Sequence, residues 1–383
     1  MRTHRLSIFR TVAWLFALVT GAAGAEERAL PPWAAENPTG FPVRVAVRAP
    51  PGEPFAHLSW PKAVRTPAGS VVLAYSAGRG HNIGGSGPAV SRSTDEGGSF
   101  SPPQLLAQFP NDDPRYADCG NVALGLAEDG AVVLLAMAYD GDKTNTILGW
   151  RSEDDGITWS ACDTSALGPE KTGSVFGNLL PLAAGELAVF GHYRPGSQPH
   201  AEGIWMSVSQ DDGRTWSEAR RIANVPAVEP VVVAAGGRLV GFFRGETGAL
   251  GGRQFVGVSD DGGATWTTAP SDLAAEDEGS ARLAAPFAVE NPNRPGELLV
   301  LTTERALSGG TPGRIWMWRG DAATLAFERE RVVLEFPRVE GDPNTDLGYP
   351  WLLHLGGDKW RMFYYHGDRR GAAHLWTTDL KRE

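Results

Sequence analysis

Four arginines and one histidine stand at matching places in this chain: Arg79, Arg194, Arg244, Arg305 and His366. Each closes an apolar run that follows a turn glycine. The interval is ten residues from Gly69 to Arg79, nine from Gly185 to Arg194 and seven from Gly237 to Arg244. If these run ends share one face, that face is rich in guanidinium groups, whose forked donors suit carboxylates and phosphates. The plain alternative is a set of solvated arginines paired with local acids. A second family of charged residues lies in the octets "STDEGGSF" (from Ser93), "SEDDGITW" (Ser152), "SQDDGRTW" (Ser209) and "SDDGGATW" (Ser259). Their acids suggest catalysis, metal binding or scaffold. The calcium-loop spacing with a distal Glu is absent, which argues against a metal. An Asp in the third place accepts bonds from the backbone N–H groups that follow it, and the Gly takes a backbone angle other residues resist. These acids therefore read as scaffold.

The elements that must position the arginines follow from the repeat. The octets start at intervals of 59, 57 and 50 residues, and two eroded copies extend the series. One is "RGDAATLAF", which keeps Asp321 and Phe327; the other is "TTDL", which keeps Thr377 and Asp379. Upstream of the octets runs an apolar strand, a glycine turn and a second apolar strand, as in "KAVRTPAGSVVLAYSAGR" and "PVVVAAGGRLVGFFR". Adjacent strands joined by short turns make an antiparallel meander. Abundant Gly (48), Pro (28) and Trp (13), with no long helical period, point the same way. The expectation is an all-β, six-bladed β-propeller of four-stranded antiparallel blades. The sixth octet is cut short, so "VRVAV" (Val43 to Val47) is expected to supply the last blade's outer strand and close the ring.

Composition bounds the partners. A net charge of −10 opposes a nucleic-acid partner but leaves room for a locally basic pocket. Arg2, His4, Arg5 and Arg10 precede an apolar run from Val12 to Val19 and then Ala23-Gly24-Ala25, the order of a secretory signal peptide. Cleavage after Ala25 would leave an exported domain over 26–383, with no stable membrane insertion. Export permits a disulfide between Cys119 and Cys162, and burial as free thiols is the equal alternative. There is no CxxC or HExxH, so no metal or other cofactor is expected.

The octets, at this spacing, resemble the Asp boxes (BNR repeats) of the sialidase (neuraminidase) superfamily. The resemblance spans nearly all of the chain beyond residue 25. It implies a propeller whose boxes lie between third and fourth strands, away from the active site. It also implies a Tyr nucleophile activated by a Glu, because a carboxylate nucleophile would be repelled by the substrate's own carboxylate. "GYPWLLHLGGDKWRMFYY" resembles the family's nucleophile strand, which gives Tyr349. "VEPVVVAAGGRLVGFFR" resembles the segment with the Glu and one substrate arginine, which gives Glu229 and Arg244. "GRIWMWRGD" gives Arg314 as another substrate arginine, "AYSAGR" gives Arg79 and "RYADCGN" gives Asp118, the last two as sugar contacts.

Two places depart from the family. Its first arginine, in an R-I-P-like motif, is replaced in "SWPKAV" by Ser59; Lys62 is near, but strand alternation turns it to the other face. Its acid/base Asp is missing from "GHNIGGSGPAVSRS", where His81 is the titratable candidate. The leading expectation is an exported sialidase-like exo-glycoside hydrolase acting on a terminal acidic sugar. The catalytic residues would be Tyr349, Glu229 and His81, with substrate binding by Arg244, Arg314, Arg79 and Asp118. The alternatives are a non-catalytic glycan-binding propeller and a lyase acting on uronate-containing polysaccharide.

Overall fold

The computed structural model describes residues 37–50, 55–81, 84–109, 116–139, 145–167, 173–182, 185–193, 203–246, 251–276, 278, 281–306, 313–336 and 345–381. The expected signal peptide and Arg194 lie outside them.

The fold is an all-β propeller. Apart from one 3₁₀ turn at Ser165–Leu167, the described elements are strands. They form five sheets, of which the largest has eight strands and runs from Thr345–Gly356 to Gln104–Leu105. Within each sheet, neighbours in the chain pair antiparallel, as when Ala227–Ala235 pairs Arg238–Gly245, which pairs Arg253–Ser259, which pairs Thr267–Ala274. Val43–Val47 lies antiparallel on Ala373–Lys381, with Val43 opposite Thr378 and Val45 opposite Trp376. A single parallel bridge, His57 to Ala373, joins the chain's first long strand to its last.

The inner strands are covered on both faces, so they read as unbroken apolar runs rather than alternating ones. All eight residues of Val71–Gly78 are buried. The core between sheets is filled by large rings, among them Trp205, Trp376, Phe242 and Phe363. At about 25 cal/mol per Å² of apolar surface, such rings dominate the packing energy.

The four clear octets fold as the sequence predicts. In each, the third-place Asp accepts a backbone bond from the Ser or Thr four residues on: Ser99 N to Asp95 at 2.9 Å, and Thr158, Thr215 and Thr265 N to Asp154, Asp211 and Asp261 at 2.8 Å. The octet's first Ser accepts the glycine N–H, at 2.8 Å for Gly97 and 2.9 Å for Gly156. Gly97, Gly156, Gly213 and Gly263 have φ between +81° and +95°. Trp159 and Trp266 fold under their turns and donate to the carbonyls of Gly156 and Gly263. Asp321 keeps a turn without the Gly, accepting Thr324 N at 2.7 Å. The sixth copy is corrected: Thr377 and Asp379 lie inside the strand Ala373–Lys381, not in a turn. Asp379 there ion-pairs with Arg361 at 2.6 Å and Arg44 at 3.2 Å, and holding the added strand replaces turn-making.

An arginine from one unit clasps the backbone of the next unit's turn. Arg92 reaches Asp155 O at 2.8 Å, and Arg151 reaches Asp212 O at 3.0 Å. Arg220 reaches Gly263 O, Arg238 reaches Ala322 O at 3.4 Å, and Arg361 reaches Glu96 O at 2.6 Å. Cys119 is buried and Cys162 partly exposed, and both are free thiols.

Candidate active site

Four inner strands are broken at the same place by a β-bulge. The register slips between Ser59 and Lys62, between Cys119 and Val122, between Val228 and Val231, and between Gly348 and Trp351. In three of these slips a residue followed by proline takes a left-handed backbone: Trp60 at φ 57°, Glu229 at 53° and Tyr349 at 55°. Proline has no N–H to lose from the ladder, so it is tolerated at a bulge. Left-handed backbone is costly for non-glycine residues and marks places where structure is held for a purpose. Here the bulge aims three side chains into one pocket. That pocket, about 350 Å³, is lined by Trp60, His81, His192, Glu229, Arg244 and Tyr349, with Arg282, Arg305, Glu246 and Arg369 around them.

Tyr349 donates to Glu229 Oε1 at 2.5 Å, and the other Glu229 oxygen accepts Arg244 at 2.9 Å. Arg244 also lies 3.5 Å from the Tyr349 hydroxyl. Glu229 and Tyr349 are each about 5% exposed (6% and 5%). Burial would raise the Glu229 carboxyl, but Arg244 and the Tyr349 hydroxyl outweigh it and hold it down at about 2. Burial, then the Glu229 charge, pushes the Tyr349 phenol well above its ordinary value. A neutral phenol is thus hydrogen-bonded to an ionised carboxylate. This is the geometry of a nucleophile beside its base. Arg305 donates to Leu347 O at 2.9 Å and Tyr365 OH at 2.9 Å, and its guanidinium sits 5.5 Å from the Tyr349 ring centre.

His81 also lines the pocket. Its Nδ1 is 2.6 Å from Asp346 Oδ2, and its ring meets Trp60 edge-on at 5.2 Å. Asp346 is itself fixed: its other oxygen accepts Tyr365 OH at 2.7 Å, and Arg305 lies 3.8 Å away. Burial opposes the Asp346 charge, but His57, His81 and Arg305 hold the carboxyl well below its usual range. An ionised Asp346 accepts Nδ1–H and leaves His81 Nε2 for the pocket. His57, His81 and Asp346 bring ligand atoms within 4.8 Å of one another. Neighbours around a tetrahedral zinc stand about 3.3 Å apart, from bonds of about 2.0 Å. The 2.6 Å spacing is that of a hydrogen bond, so the cluster fits a His–Asp pair better than a metal centre.

The structure therefore brings together Tyr349, Glu229, Arg244 and His81. It does not bring Arg314, Arg79 or Asp118 to the pocket lining. Arg314 pairs with Glu276 at 2.5 Å and Glu335 at 3.7 Å, because its strand Gly313–Asp321 places it opposite Glu335. Arg79 is exposed, and Asp118 is buried against Ser86 Oγ and Cys119 N. His366, the last of the matching strand-end residues, is buried and stacked on Phe336 at 5.0 Å, and burial lowers it to about 3. Arg305, rather than Arg314, lines the pocket. The interval pattern already contained it.

Reading by motif missed Trp60, His192, Asp346 and Arg282. The shared signal for the first was on the page: Trp60-Pro61, Glu229-Pro230 and Tyr349-Pro350 fall at one register position of three strands. His192, whose Nδ1 accepts Glu229 N at 3.2 Å, had no such signal.

The comparisons agree with this architecture. The family model for the BNR repeat-like domain matches residues 89–357. The chain belongs to the BNR repeat-like domain family. Among solved structures, the Hadza microbial sialidase Hz136 aligns with TM-score 0.66 and 18% identity over 89% of this chain and 68% of its own. The NanB sialidase from Streptococcus pneumoniae aligns with TM-score 0.65 and 14% identity, over 89% and 70%. The α-L-arabinofuranosidase Arb93A of Fusarium graminearum aligns with TM-score 0.63 and 13% identity, over 89% and 98%. At these identities the likeness is one of fold. No curated protein sequence matches the chain.

Proposed function

We propose that this protein is an exported, sialidase-like exo-glycoside hydrolase acting on a terminal acidic sugar. The observation that carries the reading is the 2.5 Å bond from Tyr349 to Glu229 inside a pocket that also holds Arg244 and Arg305. Tyr349 gives its proton to Glu229 as its oxygen bonds to the anomeric carbon. The glycosidic C–O bond breaks, and His81 Nε2–H protonates the leaving oxygen. Water then attacks the tyrosyl-bound sugar with His81 as base, and Tyr349 regains its proton from Glu229. Arg244 and Arg305 receive the substrate carboxylate, and they favour an acidic sugar over the arabinose units named for the Fusarium relative. Trp60 stands at the bulge beside Ser59, so the opening strand supplies no guanidinium to the pocket.

We also read the eight-stranded sheet as two blades joined at the His57–Ala373 bridge. That gives six blades, with Val43–Val47 as the last blade's outer strand. The arginine clasps, which run from Arg361 to Glu96 O and onward through the units, support a closed ring.

The test is Tyr349→Phe, assayed for sugar release from sialosides and other acidic glycans. The expected loss is about 10³-fold in kcat, in the range of a removed nucleophile or base. Undiminished release overturns the mechanism. An unsaturated product absorbing in the near ultraviolet would assign the site to a lyase instead. Glycan binding that persists in the variant, with no turnover in the parent, would make it a binding propeller.

A further inference from the structure

Lys62 is fully buried beneath the pocket floor. Its ammonium donates to Trp60 O at 3.2 Å, and around it stand three ring faces: Phe176 at 4.2 Å, Trp351 at 5.3 Å and Tyr349 at 5.7 Å from the ring centres. The bulge after Ser59 places it there, behind Trp60 and Tyr349 and absent from the pocket lining. A buried ammonium with one hydrogen bond is expensive. Packing alone would be met more cheaply by Met, which has similar length and no charge. Burial lowers Lys62 to about 7, and the Glu229 carboxylate acts against that fall.

We propose that Lys62 is a positioning residue for the reaction, a buried positive charge behind Tyr349 and Glu229. It rests on the function proposed above. The substrate does not reach it. Its field and its cation–π contact with the phenol ring hold the Tyr349–Glu229 pair for attack and favour the negative charge that develops on the phenol oxygen. On its own strand and on the strands that carry Glu229, Tyr349 and Trp351, the titratable and charged groups are His57, Arg65, Glu229, Asp346, Tyr349 and His354.

The first arm of the test is Lys62→Met, with Lys62→Gln as a second variant should Met not fold. A structural role predicts unchanged kcat in a protein at least as heat-stable as the parent. The proposal predicts that stable protein with kcat down about tenfold or more and KM within about threefold. Unchanged kcat overturns it. The second arm needs no turnover. The chain has five lysines. Lysine side-chain NMR is expected to show Lys62 titrating near neutrality, with its midpoint moving down in Glu229→Gln, since that carboxylate is what raises it. A midpoint that does not move overturns the coupling. If Tyr349→Phe keeps its turnover while the midpoint moves, the hydrolase mechanism fails and the Lys62–Glu229 coupling stands.

Discussion

The two ends of the propeller's strands use the same backbone device for different ends. Among the described residues, seven other than glycine have left-handed φ. Four, Glu96, Asp155, Asp212 and Leu325, lie in the outer turns of the Asp-box units; three, Trp60, Glu229 and Tyr349, lie in the pocket bulges. In the sheet of Ala227–Ala235, Arg244 and Leu239 mark the two ends of one strand, about 17 Å apart at about 3.4 Å per residue. At the outer end the local turn offsets the strain. Asp154 gathers Thr158 N, Thr158 Oγ1 and Ser152 Oγ within 2.6–2.9 Å, all from its own octet. At the pocket end the partners come from the same sheet and from another unit. Glu229 is held by Arg244 on the next strand and by Tyr349, 120 residues away in the chain. Carboxylates at both ends sit below their ordinary range: Asp154 through its own octet, Asp155 through Thr66, Ser70 and Arg92 of the neighbouring unit, and Glu229 through Arg244 and Tyr349. A depressed carboxyl by itself thus does not mark an active site; Glu229 is told apart by its burial beside a phenol in a pocket.

The contrast can be broken at either end. After Tyr349→Phe, the largest effect is expected from Asp346→Asn, because an amide can offer a donor to His81 Nδ1 where the carboxylate accepted. A fall of about 10²-fold in kcat/KM is expected, within the range for general acid–base groups. A changed pH profile should accompany it. A profile and rate like the parent's would free His81 from Asp346. Next in size, Arg305→Met should raise KM for an acidic sugar about tenfold or more. Arg314→Met should leave it within about twofold, since Arg314 is held by Glu276 and Glu335, whose exposed pairing is worth little. The reverse order would return carboxylate binding to Arg314. The smallest effect belongs to the outer end. Asp154→Ala should cost about 1 kcal/mol after allowance for solvent and leave kcat unchanged. Asp154 is lowered to about 2 by hydrogen bonds from Thr158. A carboxyl lowered in the folded state stabilises it above the unfolded value of about 4 and loses that contribution as pH falls through about 2. Parent and Asp154→Ala melting curves should therefore converge over that acid window, and a constant gap down to pH 2 would deny the turn its electrostatic share.

Local chemistry explains what the sequence disclosed. The octets carry their own hydrogen-bond partners within four residues, so their turns were legible without a fold. So were Tyr349, Glu229 and Arg244, whose segments carry a recognisable pattern of glycine, proline and arginine. Arg305 was legible from its interval and was hidden only when the motif "GRIWMWRGD" drew attention to Arg314. Asp346 and His57 were beyond reach. Their partner His81 lies 265 residues from Asp346, and nothing in either segment specifies that meeting. Lys62 was misjudged in part, because strict alternation takes no account of a bulge: it does leave the pocket face, but it ends beneath Tyr349 rather than away from the site.

The octet "SEDDGITW" is rich in acids, and its neighbour holds Asp155 by its carbonyl as well as by its carboxylate. Arg92 grips Asp155 O, and Arg238 likewise grips Ala322 O and Ala323 O in the unit that lost its Gly and Trp. Where the clasp reads backbone alone, as at Ala322 and Ala323, it is indifferent to which residue it holds. Such a unit is thereby free to drift in sequence without releasing the next, and this accounts for how one turn can decay to "RGDAATLAF" while the ring around it keeps its seams.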